Sequence, residues 1–148
     1  MQTKYDYQRM LSDIGLKSTQ NRLSILEILG ENQVPLKVAD IHALLSRRCR
    51  INQVTVYRVL DLLIKYELVE RLSTGSRAVH YALTPPGQHI SHPHFYCKHC
   101  GQLNCLAPES IAMDTRNLER NFPGTVERIE VRVDGICKNC AKYPDTAC

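Results

Sequence analysis

Nowhere among the 148 residues is there an unbroken apolar run of about 18, the length that would suggest a membrane-spanning helix. The opening MQTKYDYQRM also lacks the apolar core of a secretory signal. Internal repeats and low-complexity tracts are missing. So is an HxE motif, which a zinc deaminase needs beside its CxxC to supply the catalytic glutamate. An even cysteine set is lacking too: there are seven, an odd number, and the cytosol keeps thiols reduced, so a complete disulfide framework is excluded as their main use. What is present is globular usage, 43% hydrophobic and 23% charged. These features predict a soluble cytoplasmic protein with no membrane partner, no small organic substrate and no enzymatic activity.

The charge is unevenly placed. Residues 1–87 carry 12 Lys and Arg against 8 Asp and Glu, whereas residues 88–148 carry 7 against 7. Six of the seven cysteines and four of the six histidines fall in the second part. A basic module followed by a metal module points to a polyanion partner under metal control. The strongest punctuation, Pro85-Pro86-Gly87, forbids a continuous helix, so the sequence predicts an N-terminal domain over 1–84, a hinge over 85–91 and a second domain over 92–148.

Before the hinge, apolar spacing predicts four helices. The first runs from Tyr7 to Ile14, and the second is capped by Thr19 with Ile25, Leu26 and Leu29 on one face. The third carries Val38, Ile41 and Leu45, and the fourth is capped by Asn52 with Val56, Val59, Leu60 and Leu63 inward. Residues 68–72 and 78–83 then read as a hairpin around Ser73-Thr74-Gly75-Ser76. This order is that of a winged helix-turn-helix. The outward face of the fourth helix carries Gln53, Tyr57 and Arg58. Arginine can fork onto guanine and a tyrosine ring can meet a thymine methyl, so the face suits a major groove, although a plain solvated surface is the ordinary reading of such a stripe. Arg77 at the wing tip and the basic balance of the domain favour DNA.

Beyond the hinge, strands are predicted near Phe95–Cys97, Gln102–Leu106 and Thr125–Val133. A helix after Pro108 should carry Ile111, Thr115, Leu118 and Phe122 on one face. The fold class is α+β, a winged helix followed by a small α/β domain. Cys97 and Cys100 form one CxxC, Cys137 and Cys140 another. Two such turns complete a closed four-thiolate zinc site, which holds structure and leaves no position for catalysis. His92 and His94, at i and i+2, can reach one ion from one side of a strand. His80 and Glu70 on the wing strands, with Cys105, could close on the same ion. Singly, each of these has a dull reading as a surface or core residue. His42 reads as a partly buried helix residue, and Cys49 and Cys148 as incidental.

The sequence resembles the ferric uptake regulator superfamily along nearly its whole length. The resemblance is carried by Gly15-Leu16-Lys17 with Thr19 and Arg22, Thr55-Val56-Tyr57-Arg58-Val59-Leu60, HxHxxCxxCG at 92–101, and Cys137 with Cys140. It implies a homodimeric metal-sensing repressor with an N-terminal winged helix, a C-terminal dimerisation domain, structural zinc on the four thiolates and a regulatory divalent metal at the hinge. It also implies double-stranded operator DNA as partner, Lys17 in the minor groove, and Tyr57 and Arg58 reading bases beside Gln53 and Thr55. Iron and peroxide sensors of this superfamily usually present a histidine and two carboxylates where this chain has Leu36, Ala82 and Cys105. Thiolate and imidazoles in place of oxygen ligands favour zinc over ferrous iron. The chain therefore looks most like the zinc uptake regulator branch, with an iron- or peroxide-responsive regulator as the alternative. A further peripheral metal site of some members is not expected, since Ala112 and Ile129 occupy its places.

Overall fold

The computed structural model describes residues 5–32, 34–74, 78–84, 92–127 and 129–143. The expected hinge, His89, Arg77 and Cys148 lie outside them. The chain divides into two compact units, Met1–Gly87 and Gln88–Cys148, each described by itself. Among the described residues, no helix is long and apolar enough to cross a membrane.

In the N-terminal unit, α1 (Tyr7–Asp13) starts where the Asp6 carboxylate accepts from the Arg9 N–H. It stops at Gly15, whose φ of +72° lets the Leu16 N–H turn back to the Leu11 carbonyl. Helices α2 (Gln20–Glu31) and α3 (Val38–Ser46) follow. Thr19 stands at the α2 N-cap as expected, but its side chain makes no capping bond. Helix α4 (Gln53–Lys65) begins at Asn52, whose side-chain oxygen accepts from both the Thr55 N–H and the Thr55 hydroxyl, each at 2.8 Å. The predicted apolar faces supply the core: Ile25, Leu26, Leu29, Ile41, Leu45, Val56, Leu60 and Leu63 are buried together. Arg48 ties α3 to α2 through Glu31 at 2.8 Å and Glu27 at 3.5 Å. These pairs are half-exposed and add little stability.

The wing strands are β2 (Val69–Ser73) and β3 (Val79–Leu83). A strand that the sequence reading missed, β1 (Leu36–Lys37), joins them in a three-stranded antiparallel sheet of order β1-β3-β2. Two residues are too few to show an alternation, and β1 exists only because β3 offers it an edge. The register sets Leu72 and Lys37 opposite His80, and Glu70 opposite Ala82. Cross-strand partners share a face, so Glu70, Leu72, His80 and Ala82 all point away from the face on which Val69 and Tyr81 join the helical core.

In the C-terminal unit, β4 (His94–Cys97) is central, antiparallel to β5 (Leu103–Cys105) and parallel to β6 (Arg132–Gly135). The strand expected over 125–133 is thus displaced and shortened. A parallel ladder runs only as far as its neighbour, and β4 offers four residues, so the ladder takes in only Arg132–Gly135. The expected helix is shorter too. Pro108–Ser110 form a 3-10 turn, and α5 (Thr115–Asn121) starts only at Asp114, whose carboxylate accepts from the Arg116 and Asn117 N–H groups. Its apolar side is uncovered in the single chain, with Leu118 43% and Phe122 50% exposed. A short helix α6 (Lys138–Lys142), unforeseen in the sequence, carries the last CxxC cysteine.

Candidate metal centres and nucleic-acid interface

Among the described residues, two groups of metal-ligating side chains come together in the C-terminal unit. The first is Cys97, Cys100, Cys137 and Cys140, whose sulfurs lie within 4.8 Å of one another. Cys97 ends β4, and Cys100 follows in the turn that Gly101 closes, its φ of +74° bringing its N–H to the Cys97 carbonyl at 2.9 Å. Cys137 is the N-cap of α6, and Cys140 lies within the helix. The parallel pairing of Cys97 with Gly135 carries the second CxxC to the first, across 36 intervening residues.

Backbone donors aim at these sulfurs. The Cys137 N–H reaches Cys97 Sγ at 3.3 Å, and the Cys140 N–H reaches Cys137 Sγ at 3.5 Å. Hydrogen bonds from the Cys100 and Cys137 backbone, outweighing burial, draw the Cys97 thiol down to about 6, which favours the thiolate. Burial pushes the Cys100 thiol up. The Cys100 and Cys137 sulfurs are 4.0 Å apart, close to the ~3.8 Å that four sulfurs about 2.3 Å from one zinc would require. The donor set therefore fits a structural zinc.

The second group is His92, His94 and Cys105, again within 4.8 Å. Residues 94 and 105 are direct cross-strand partners on β4 and β5, which explains their approach. His92 lies just before β4 rather than on it, so the anticipated i, i+2 strand geometry does not apply. Its ring nevertheless packs on that of His94, centroids 4.5 Å apart. His94 is buried and Cys105 exposed. His80 and Glu70 belong to the N-terminal unit, on one face of the wing sheet but a diagonal apart. His80 is 3% exposed, and its Nδ1 has no hydrogen-bond partner among the described residues. Burial, then the Lys37 charge, lowers its pKa from the ordinary histidine value, favouring the neutral imidazole. A neutral buried imidazole with an unused nitrogen suits a metal ligand.

The remaining expected contacts lie in the N-terminal unit. Gln53, Tyr57 and Arg58 are exposed along α4. Thr55 is half-buried, and its hydroxyl donates to the Asn52 cap. Lys17 is exposed, and its carbonyl accepts from Arg22 at 2.8 Å. His42 bonds the Ile51 carbonyl through Nε2 at 3.0 Å, a structural use. Cys49 is half-buried and free.

A winged helix joined to a unit holding two clusters of imidazole and thiolate ligands defines a metal-responsive DNA-binding regulator. Residues 13–133 match the ferric uptake regulator family. The chain belongs to that family, and is a regulator rather than an enzyme. It is 30% identical over 129 residues to the ferric uptake regulation protein of Cupriavidus metallidurans, covering 86% of this chain and 88% of its relative. Its structure is similar to that of the Vibrio cholerae ferric uptake regulator, with 25% identity, a TM-score of 0.71, and coverage of 89% of this chain and 100% of that one. It is also similar to a zinc uptake regulator solved with zinc and DNA, with a TM-score of 0.70 and coverage of 94% and 93%. At 18% identity that likeness shows the fold alone.

Proposed function

We propose that this protein is a zinc-responsive transcriptional repressor that binds an inverted-repeat operator as a homodimer in the cytoplasm. The observation that carries the choice of metal is the convergence of His92, His94 and Cys105. Two imidazoles and a thiolate suit zinc better than ferrous iron. His80, and Glu70 as a further ligand, are proposed to complete the regulatory set. Ligands drawn from both units would let the ion favour the arrangement that binds DNA, because any other arrangement loses part of the set. Operator DNA must then tighten regulatory zinc by the factor by which zinc tightens DNA binding. A second zinc on Cys97, Cys100, Cys137 and Cys140 is structural in this proposal. Lys17 enters the minor groove, and Gln53, Thr55, Tyr57 and Arg58 supply the contacts in the major groove. The uncovered apolar side of α5 supports the homodimer.

A second reading, an iron- or peroxide-responsive regulator, is supported by relatives that carry the name ferric uptake regulation protein. Operator affinity with zinc or with ferrous iron, measured anaerobically, separates the two. Zinc should activate wild-type binding more strongly than ferrous iron at equal free metal. The His92→Ala, His94→Ala double variant should lose the zinc response while keeping its fold and one bound zinc. A zinc response equal to wild type would remove these residues as the sensor.

A further inference from the structure

One exposed side chain on α4 has no part in the contacts assigned above. Val54 is 58% exposed, the most exposed large apolar residue of the N-terminal unit among those described. A single exposed valine is unremarkable by itself. Its position is what carries the argument. Residues 54, 57, 58, 61 and 65 lie on one side of the helix, opposite the buried Val56, Leu60 and Leu63. Val54 is the second residue of the helix, in the first turn that the Asn52 cap pins. In a helix-turn-helix, the N-terminal residues of the second helix are the ones that meet base edges.

Valine has low helix propensity and carries no polar group, so neither helix formation nor solubility accounts for it there. Its branched side chain is stiff at χ1 and loses little freedom on contact. In the major groove the apolar feature of the base edges is the C5-methyl of thymine. We propose that Val54 is a base-reading residue that packs on a thymine methyl and adds an A·T preference to the site read by Arg58. The inference rests on the DNA-binding reading above. Four residues of helix rise about 6 Å, and bases step by about 3.4 Å. The thymine should thus lie roughly two base pairs from the base contacted by Arg58.

The test uses the full zinc-loaded chain and a duplex selected by it from random sequence. Each thymine of the selected site is replaced in turn by deoxyuridine, which removes only the methyl. Wild-type affinity should fall about fourfold at one position per half-site, the worth of burying one methyl-sized group. Val54→Ala should fall by the same factor on the thymine duplex and lose its sensitivity at that position, with thermal stability unchanged or raised because alanine favours the helix. Sensitivities that persist in Val54→Ala belong to another residue such as Tyr57. If wild type tolerates uridine throughout the site, or Val54→Ala keeps every sensitivity, the inference is overturned while the DNA-binding reading stands. If the zinc-loaded chain selects no duplex, both fall together.

Discussion

His80 combines burial, an unused ring nitrogen and a neighbouring lysine charge on one side chain. Because its folded pKa lies below 6.5, the unfolded chain binds the proton more readily. The stability linked to keeping it neutral is complete above 6.5 and is lost as pH falls through the folded value. In metal-free full-length protein, the unfolding midpoint of the winged helix should drop below pH 6.5 more steeply in wild type than in His80→Asn, which cannot titrate there. Circular dichroism across that window checks it, and parallel slopes would show that burial of His80 does not control the effect. Protonation would also remove a nitrogen from the proposed regulatory set, so acid should weaken stability and metal response together.

At the scale of elements, α4 depends on one asparagine. The Asn52 side chain satisfies the Thr55 N–H and orients its hydroxyl, fixing the first turn on which Gln53 and Val54 stand. Asn52→Ala should cost about 1 kcal/mol, within the usual range for a lost N-cap, measured by denaturant unfolding. Operator affinity should fall further than affinity for random duplex, because a frayed first turn blurs base contacts more than phosphate contacts. An equal loss on both duplexes would separate the cap from base reading. In the C-terminal unit, the β4–β5 ladder plays the comparable part. It sets His94 beside Cys105 by register, so a one-residue slip would turn one of them to the other face.

For the whole molecule, the four-sulfur cluster is proposed to couple metal to folding. Among its described residues, the C-terminal unit has two short α-helices and three strands of three or four residues, and α5 leaves apolar side chains in water. Such a unit buries too little to stand alone without a staple or a partner. Cys137→Ser should therefore release the structural zinc, lower thermal stability and leave a monomer. Metal analysis and light scattering on the same preparation read this out. A variant that remains dimeric with unchanged stability would show that the cluster is not the staple. The winged helix should be affected less, since its core is built from its own helices and wing strands.

Much of this was legible in the residues. Apolar spacing at i, i+3, i+4 and i+7 determined α2, α3 and α4, because a helix repeats every 3.6 residues and its buried face must repeat with it. Paired CxxC motifs determined a four-sulfur cluster, since thiolates at that spacing in a reduced chain have few other uses. Only the tertiary structure decided the rest. The pairing of β1 with β3 depends on an edge that is remote in sequence, and two residues carry no period of their own. The length of β6 was decided by the four residues of β4 beside it, not by its own longer alternation. His94 and Cys105 meet through strand register, which no local pattern encodes. The Thr55 hydroxyl also donates to the Asn52 side-chain oxygen, a bond set by the folded first turn of α4 rather than by any apolar period.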